Sequence, residues 1–297
     1  MSIIFKQINI NTILSPLEKK NLAKKIGIDV GQSLTKIAFL EKESLILSIG
    51  ATKNNFHQIM KLIETFKLNL NQINFTGGKA FDLFKKYENS YHCNLIDEFE
   101  ANVKGLDITF RYKRNKPLPP SLIITIGTGT SFVLKNKTIK HIGGTALGGG
   151  FFMGIIKILF NIDDYQKAIT LSKKGNRYNL DLRVKDIYNA QDDRVDIWFR
   201  EFTASSLGKI DQDTNLSSLK REDVLNSLVC LIGENIGSLA SIYAKNYNIG
   251  TLIYCGGFLI NNNPLATILK MICKINRQRL LIVENSEFNG AIGALLF

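Results

Sequence analysis

Between residues 26 and 49, three short runs rich in apolar residues are separated by tight polar breaks. This pattern predicts a meander of antiparallel strands over 26–30, 34–40 and 44–49. Apolar residues at helical spacing then predict helices over 55–66, 79–87 and about 97–110, with a short strand at 73–76 between the first two. After a proline-rich stretch the scheme restarts, with strand-like runs at 121–126, 130–134 and 138–142.

The two halves of the chain therefore begin alike. Segments 28–33 and 124–131 each consist of a β-branched run, a turn of small residues and the start of another strand. This similarity suggests a duplicated hairpin that grips a nucleotide. Glycine-containing hairpins are common, so chance similarity is the alternative.

Two further segments have their own patterns. Residues 1–25 resemble an added N-terminal arm, in which Ser15, Pro16 and Glu18 form a helix-start signature and predict a short basic helix. Apolar residues at three- and four-residue steps predict a long amphipathic helix over 225–243. That stripe suits burial in the core and a dimer interface equally.

Length and composition are those of a globular protein. The 297 residues are 45% apolar with a net charge of +12, which excludes a disulfide scaffold, collagen and general disorder. Four separated cysteines and three histidines give no zinc-binding spacing and no Cys/His nucleophile pair. We expect reduced thiols and a cytoplasmic protein, because the N-terminus lacks the order of a signal peptide.

The positive charge has two interpretations. Its densest cluster, 111–116, precedes three prolines and predicts a solvated connector. No nucleic-acid-binding motif accompanies it, so we favour a generally basic surface over nucleic-acid binding. The most apolar segment, 151–160, is too short to span a bilayer. We therefore expect neither a nucleic acid nor a membrane as partner.

Four glycine-rich turns follow strands or begin helices, at 31–33, 127–130, 143–150 and 256–257. Backbone amides at such turns and at helix N-termini bind phosphate groups. None of the four is a Walker loop or a Rossmann fingerprint. Residues 151–156 are apolar on nearly every face, which predicts a buried helix whose N-terminus meets the phosphates. Tight packing of a core helix is the alternative reading of those glycines.

Two acidic residues are candidates for chemistry. Asp29 ends a predicted strand beside the first turn, where its carboxylate could hold Mg²⁺ through water while Lys36 reaches a phosphate. Glu98 begins a predicted helix, where it could act as general base on a hydroxyl group. Without any comparison, Glu98 and its acidic neighbours are more simply explained as favourable charges at a helix N-terminus.

Seven segments, in this order, resemble the motifs of the type II, or eukaryotic-like, pantothenate kinases. They are GIDVGQSLTK (27–36), FTGGKAF (75–81), DEFEA (97–101), GGTALGGG (143–150), RVKDIY (183–188), IYCGGFL (253–259) and NGAIGALL (289–296). Together they extend from about residue 25 to residue 297.

The resemblance implies an α/β fold of the actin-like ATPase, or ribonuclease H-like, class. Two lobes, each with a mixed five-stranded sheet and flanking helices, would hold ATP between them. Residues 26–118 would form the N-terminal lobe with the catalytic glutamate. Residues 119–297 would form the C-terminal lobe with the ATP-binding and dimerisation elements, its last helix placed to pack back across the lobes.

The implied activity is ATP-dependent phosphorylation of pantothenate to 4'-phosphopantothenate, the first step of coenzyme A synthesis. The implied cofactors are ATP and Mg²⁺, and the implied assembly is a homodimer built partly on the long helix. Coenzyme A or an acyl-CoA is an additional candidate ligand, as an inhibitor.

The resemblance also assigns individual residues. Glu98 would deprotonate the pantothenate hydroxyl, and Asp29 would hold the metal through water. The ATP and phosphate contacts would be Asp29, Gly31, Gln32, Ser33, Lys36, Gly127, Thr128, Gly129, Gly148, Gly149, Gly150, Gly256 and Gly257. The substrate contacts would be Thr128, Ser131, His141 and Ala204.

Two residues depart from the family pattern. Gln32 stands where the family usually has glycine, and His141 stands where it has an arginine beside the substrate. An arginine is a fixed cation, whereas an imidazole is largely neutral near pH 7. The substitution is either tolerated or lowers activity. The alternatives are therefore a kinase for a related hydroxyl substrate, such as pantetheine or a sugar, and a non-catalytic sensor of ATP or acyl-CoA.

Overall fold

The computed structural model describes residues 4–9 and 14–297. Its first half contains six strands and four helices within those residues. They are β1 (Ile4–Asn9), α1 (Pro16–Leu22), β2 (Lys25–Val30), β3 (Leu34–Glu41), β4 (Ser44–Ala51), α2 (Asn55–Thr65), β5 (Gln72–Thr76), α3 (Ala80–Tyr87), β6 (His92–Leu95) and α4 (Glu98–Arg114). The predicted strands and helices of this half are confirmed, with β6 as an addition.

The second half repeats the scheme. Its elements are β7 (Ser121–Ile126), β8 (Thr130–Lys135), β9 (Ile139–Thr145), α5 (Gly149–Phe160), α6 (Tyr165–Ser172), β10 (Leu182–Arg183), α7 (Val184–Ile187), β11 (Thr203–Ser205), α8 (Arg221–Asn246), β12 (Thr251–Cys255), α9 (Asn263–Ile275), β13 (Arg279–Ile282) and α10 (Asn289–Leu295). A short 3₁₀ helix, Gly257–Leu259, follows β12.

The two mixed sheets have the same topology, apart from one additional strand, β1, in the first. The first has the order β1-β4-β3-β2-β5-β6 and the second has the order β13-β12-β7-β8-β9. In each sheet, an antiparallel three-stranded meander continues into two parallel strands. This equivalence agrees with the duplicated hairpin that the sequence suggested.

The expectation of a five-stranded first sheet is wrong, because β1 adds a sixth strand. Residues 4–9 pair antiparallel with residues 44–49 of β4. Ser15 caps α1 with the predicted capping box, in which Glu18 accepts the Ser15 amide. Leu22 is buried with the β4 residues in one core cluster. The described parts of the expected arm therefore belong to the first sheet and its core, while residues 1–3 and 10–13 lie outside the described chain.

Helix α4 is longer at its C-terminus than predicted and includes the first part of the basic cluster. Arg111, Lys113 and Arg114 lie in its last turn, where cations interact favourably with the helix dipole. Asp107 pairs with Arg111 at 2.7 Å and accepts the Leu118 amide at 2.8 Å. The basic stretch is thus a helix end, and only its last residues form a connector.

The prediction that α5 is a buried helix is wrong. Phe152 and Ile156 face the core, but Ile158 is 80% exposed and Leu159 is 55% exposed. Helix α8, in contrast, is a core helix, since its apolar stripe packs with the second sheet in the largest buried cluster. It is long and apolar enough to cross a membrane, but 61% of its most apolar window is buried inside the protein.

The last helix returns to the first sheet. Helix α10 packs against β2, β3, β5 and α4 rather than against the second sheet. Ala291, Ile292 and Leu295 are buried with β3 and β4 residues. This arrangement places the N-terminus of α10 beside the end of β2, where Asp29 lies.

Candidate active site

Asp29 and Lys36 form an ion pair at the end of the first hairpin. The antiparallel register of β2 and β3 sets Asp29 opposite Lys36. Lys36 Nζ lies 3.2 Å from Asp29 Oδ2, and both side chains are largely buried. A fixed carboxylate and a fixed ammonium group thus lie side by side at one edge of the sheet.

Two glycines, which the sequence interpretation did not assign to the site, close around the Asp29 carboxylate. A Cβ atom on Gly77 would lie 2.5 Å from Asp29 Oδ1, and Gly77 has a positive φ of 93°. A Cβ atom on Gly290 would lie 2.9 Å from Asp29 Oδ2. The signal was present, since the Thr76-Gly77-Gly78 and Asn289-Gly290 segments belong to the quoted motifs.

Glu98 begins α4, and its side chain is exposed. Asp97 caps the helix and accepts the Glu100 amide at 2.8 Å, which fixes the first turn. Partial desolvation by the surrounding protein raises the pKa of Glu98, and the nearby negative charge of Asp29 raises it further, while Lys36 opposes both effects. Glu98 is therefore an accessible carboxyl group with a raised proton affinity, as a general base requires.

The first glycine turn is closed by hydrogen bonds to Gly31. The Gly31 amide donates to the Leu34 carbonyl at 3.1 Å, and Thr52 Oγ1 donates to the Gly31 carbonyl at 2.8 Å. Gln32 and Ser33 are exposed at its tip. Their backbone amides make no hydrogen bond within the described chain, so they are available to an anion.

The second glycine turn is bound to the N-terminus of α5. The Gly127 amide donates to the Gly129 carbonyl at 2.8 Å. The amides of Gly149 and Gly150 donate to the carbonyls of Gly127 and Thr128 at 2.7 and 2.9 Å. The amides of Gly149 and Gly150 are thus already used, whereas those of Thr128 and Gly129 make no hydrogen bond among the residues the structure describes.

A third turn, at Gly256 and Gly257, lies directly beside the second. Gly256 has a positive φ of 103°, and its Cβ atom would lie 2.5 Å from the Ile126 carbonyl oxygen. Behind it, the Phe258 ring packs close to the Gly149 backbone. The three segments that the sequence placed around a phosphate in the second half therefore form one contiguous group.

Ser131 and His141 lie on the face of the second sheet that is turned towards α4. Val133, two residues after Ser131 on β8, packs with Val103 and Leu106 of α4. His141 is paired with Val133 in the sheet, and its ring stacks on Phe99 with centroids 4.1 Å apart. A cavity of about 560 Å³ adjoins this stack, lined in part by Asp97, Glu100, Lys137 and Lys140. His141 is therefore close to the start of α4, because its ring stacks on Phe99, the residue that follows Glu98.

Ala204 makes no described contact with the glycine-rich turns. It is exposed on β11, which pairs only with β10 in a separate two-stranded sheet. The chain just after β11 is anchored by a hydrogen bond, in which the Leu207 amide donates to the buried Asp181 carboxylate at 2.8 Å. No group of three or more His, Cys, Asp and Glu residues with metal-binding geometry is present in residues 4–9 and 14–297.

Comparison with known proteins agrees with this organisation. A family model described as Fumble matches residues 49–297. A type II pantothenate kinase of Bacillus cereus strain AH820 is 35% identical over 275 residues, covering 92% of this chain and 96% of the relative. A type II pantothenate kinase of Bacillus anthracis is likewise 35% identical over 275 residues, with the same coverage.

The fold is shared with sugar kinases of much lower sequence similarity. A ROK family glucokinase of Streptomyces griseus, solved with glucose and AMPPNP, superimposes with a TM-score of 0.55 at 10% identity, covering 91% of this chain and 97% of that one. This likeness confirms the predicted two-lobed actin-like ATPase fold.

Proposed function

This chain belongs to the type II pantothenate kinase family, and from that premise we propose that it transfers the γ-phosphoryl group of ATP to the primary hydroxyl of pantothenate. The product is 4'-phosphopantothenate, at the start of coenzyme A synthesis. The observation that carries the proposal is the convergence of Glu98, Asp29 and Lys36. These residues come from three separate elements and supply a base, a metal-binding carboxylate and a cation.

The nucleotide lies between the two glycine hairpins. The free amides of Gln32 and Ser33 on one side, and of Thr128 and Gly129 on the other, contact phosphate oxygens. Gly31 and Gly127 shape those hairpins, and Gly148, Gly149 and Gly150 hold α5 against the second one. Gly256 and Gly257 border the adenine. Lys36 neutralises phosphate charge as the transfer proceeds.

Asp29 suits a magnesium ion bound through water. Its carboxylate is held by Lys36 and by the close glycine backbones, and it lies near enough to Glu98 to raise the pKa of that group. Oxygen ligands and retained waters are what Mg²⁺ prefers. Such an ion would neutralise the charge of the nucleotide phosphates when bound.

Glu98 is the general base of the reaction. Its carboxylate accepts the proton of the pantothenate hydroxyl as that oxygen bonds to the γ-phosphorus, and the bond from the γ-phosphorus to the bridging oxygen breaks to release ADP. Most of the acceleration comes from alignment of the two reactants and from stabilisation of the transferring charge. Thr128, Ser131 and His141 position the acceptor, with Ala204 as a more distant contact.

An acceptor panel tests the assignment of substrate. Purified protein is supplied with ATP, Mg²⁺ and one of pantothenate, pantetheine or glucose, and phosphorylated products are identified by mass. We expect phosphopantothenate as the main product. Exclusive phosphorylation of pantetheine or glucose would instead establish a related kinase, and ATP binding without any phosphorylated product would establish a sensor.

The raised pKa of Glu98 predicts an acid limb in the pH profile. The base must be ionised to act, so kcat/KM falls as pH drops through a value above the ordinary carboxyl pKa of 4.5. The effect on stability has the opposite sign: the folded protein binds this proton more tightly, so Glu98 makes folding less favourable as pH rises above 4.5. A kcat/KM profile between pH 4 and 9 checks the first statement, and an acid limb at or below 4.5 contradicts it.

His141 provides a second prediction. His141→Arg supplies a fixed cation near a substrate that bears a carboxylate, and a guanidinium group can retain the stack on Phe99. We expect kcat/KM for pantothenate to rise about tenfold, the effect of one hydrogen bond to a charged group. His92→Arg, on the exposed strand β6, is the control. An unchanged or lower value for His141→Arg would show that histidine already serves this position fully.

The assembly, the inhibitor and the location complete the proposal. A homodimer built partly on α8 is supported by exposed apolar side chains at Ile242 on α8 and at Ile158 and Leu159 on α5. We also propose inhibition by coenzyme A or an acyl-CoA and a cytoplasmic location, both of which the family assignment supports. We place the boundary between the lobes at residues 118–119, between the end of α4 at Arg114 and the start of β7 at Ser121.

A further inference from the structure

The hydroxyl of Tyr165 bridges two backbone carbonyls beyond the third glycine turn. Tyr165 is the first residue of α6, and its Oη lies 2.9 Å from the Phe258 carbonyl oxygen and 3.0 Å from the Ile260 carbonyl oxygen, so its one proton is shared between the two acceptors. These carbonyls flank the end of the 3₁₀ helix Gly257–Leu259, where backbone acceptors lack a helical partner. Burial raises the pKa of Tyr165, so the hydroxyl keeps its proton and remains a donor.

The turn held in this way is linked to the phosphate region. Gly256 has a backbone conformation that other residues rarely adopt, and it abuts the Ile126 carbonyl just before the second hairpin turn. The Phe258 ring packs on Gly149, and it also contacts the rings of Phe152 and Tyr165. A shift of the Phe258 backbone would therefore move both the Gly256-Gly257 segment and the start of α5.

The side chain of Asn262 also donates a hydrogen bond to the Phe258 carbonyl. Asn262 Nδ2 donates to the Phe258 carbonyl at 3.1 Å, while its Oδ1 accepts the Leu265 amide at the start of α9. The Ile260 carbonyl accepts from Tyr165. Removal of the tyrosine hydroxyl thus leaves the Phe258 carbonyl bonded to Asn262, while the Ile260 carbonyl loses its bond to Tyr165. We expect the turn to become less rigid but to keep its conformation.

We propose that Tyr165 is a positioning residue for the nucleotide: through two carbonyls it fixes the Gly256-Gly257 turn, and so sets the affinity for ATP without touching it. The inference rests on the proposed function, in which this turn borders the adenine. Of the proposed acceptor contacts, Thr128 lies in the hairpin turn that α5 contacts, whereas Ser131 and His141 lie on β8 and β9. The affinity for pantothenate therefore depends less on Tyr165 than the affinity for ATP does.

Tyr165→Phe tests the inference, since phenylalanine keeps the ring against Phe258 and removes only the hydroxyl group. Ser172→Ala is a matched control: Ser172 is on the same helix, fully buried, and donates its hydroxyl to the Ile169 carbonyl of that helix. The dissociation constant for ATP is measured by titration calorimetry, and the KM values for ATP and pantothenate are measured separately. All measurements are made below the melting temperature of each protein.

We expect Tyr165→Phe to raise the ATP dissociation constant and the KM for ATP about fivefold, the effect of losing one hydrogen bond. The KM for pantothenate should stay within twofold of wild type, and Ser172→Ala should leave all three values unchanged. An unchanged ATP affinity in Tyr165→Phe, or an equal rise in both KM values, overturns the positioning role of Tyr165 and leaves the proposed function standing. A wild-type protein that binds no ATP overturns the proposed function and this inference together.

Discussion

Replacement of Glu98 with glutamine is expected to lower kcat by about 10²–10⁴-fold, the usual contribution of a positioned general base. Glutamine has nearly the same shape but cannot accept the proton of the attacking hydroxyl. The affinity for ATP should be unchanged or slightly higher, because the variant removes a negative charge near Asp29 and the phosphates. Steady-state kinetics with pantothenate and calorimetric titration with ATP give the two numbers.

Glu100→Gln is the matched control for that experiment. Glu100 lies in the same first turn of α4, and its carboxylate pairs with Lys104 at 3.1 Å in an exposed ion pair. Such pairs contribute little to stability, so kcat should stay close to wild type. Equal kcat values for wild type and Glu98→Gln would remove Glu98 from the mechanism, and equal losses in both variants would reduce its role to a charge at the helix terminus.

Gly293→Ala is expected to have the largest effect on stability. Helices α4 and α10 cross so closely that a Cβ atom on Gly293 would overlap the Ala101 carbonyl oxygen. A Cβ atom on Gly105 would overlap the Asn289 carbonyl in the same way. Backbone atoms cannot rotate aside as side chains do, so the helices must separate. We expect a loss of about 3 kcal/mol in unfolding free energy and a fall of roughly 5–10 °C in Tm.

Gly154→Ala is the control for this substitution. Gly154 is also helical, but a Cβ atom there would meet no other atom within 4 Å. Alanine should therefore be neutral or stabilising at this position, by up to about 1 kcal/mol. Thermal melts of both variants check the pair. A Tm for Gly293→Ala within 2 °C of wild type, on a scale where about 1 kcal/mol shifts Tm by 2–4 °C, would contradict the close crossing of the two helices.

Gly293→Ala is also expected to lower activity, because the two helices that must separate, α4 and α10, both carry or contact site residues. Helix α4 begins with Glu98, and α10 abuts Asp29 through Gly290. Separation of these helices shifts the base relative to the metal-binding carboxylate, so kcat should fall in Gly293→Ala even at temperatures where the protein stays folded. This links the stability of the helix crossing to the geometry of the site.

Most of the fold could be predicted because short apolar runs and helical periodicity record burial. The strands β2, β3 and β4 are apolar runs that are buried over most of their length, and each was predicted to within two residues at either end. Strand β6 was missed because His92 and Leu95 are exposed and the strand is only four residues long. Helix α5 was misjudged because periodicity cannot show whether an apolar face finds a partner within the chain, and Ile158 finds none among the described residues.

The site was predictable only in part, since its members meet through long-range packing. Asp29 and Glu98 were identified from their places at a strand end and a helix start, and the resemblance named their roles. Gly77 and Gly290 belong to the quoted motifs but were not assigned to the site, because nothing in the local sequence shows that a glycine packs against a distant carboxylate. The hydrogen bond from the Gly149 amide to the Gly127 carbonyl could not be predicted either, because it depends on how α5 packs against the hairpin.

The most direct test of the central claim is the stoichiometry of ADP and phosphopantothenate formed by the wild-type protein from ATP and isotopically labelled pantothenate. The account predicts one ADP for each phosphopantothenate, at a turnover within the usual kinase range of about 1–100 per second, and no ADP without pantothenate. ATP binding without phosphopantothenate formation, or ADP formation that does not depend on pantothenate, would contradict it.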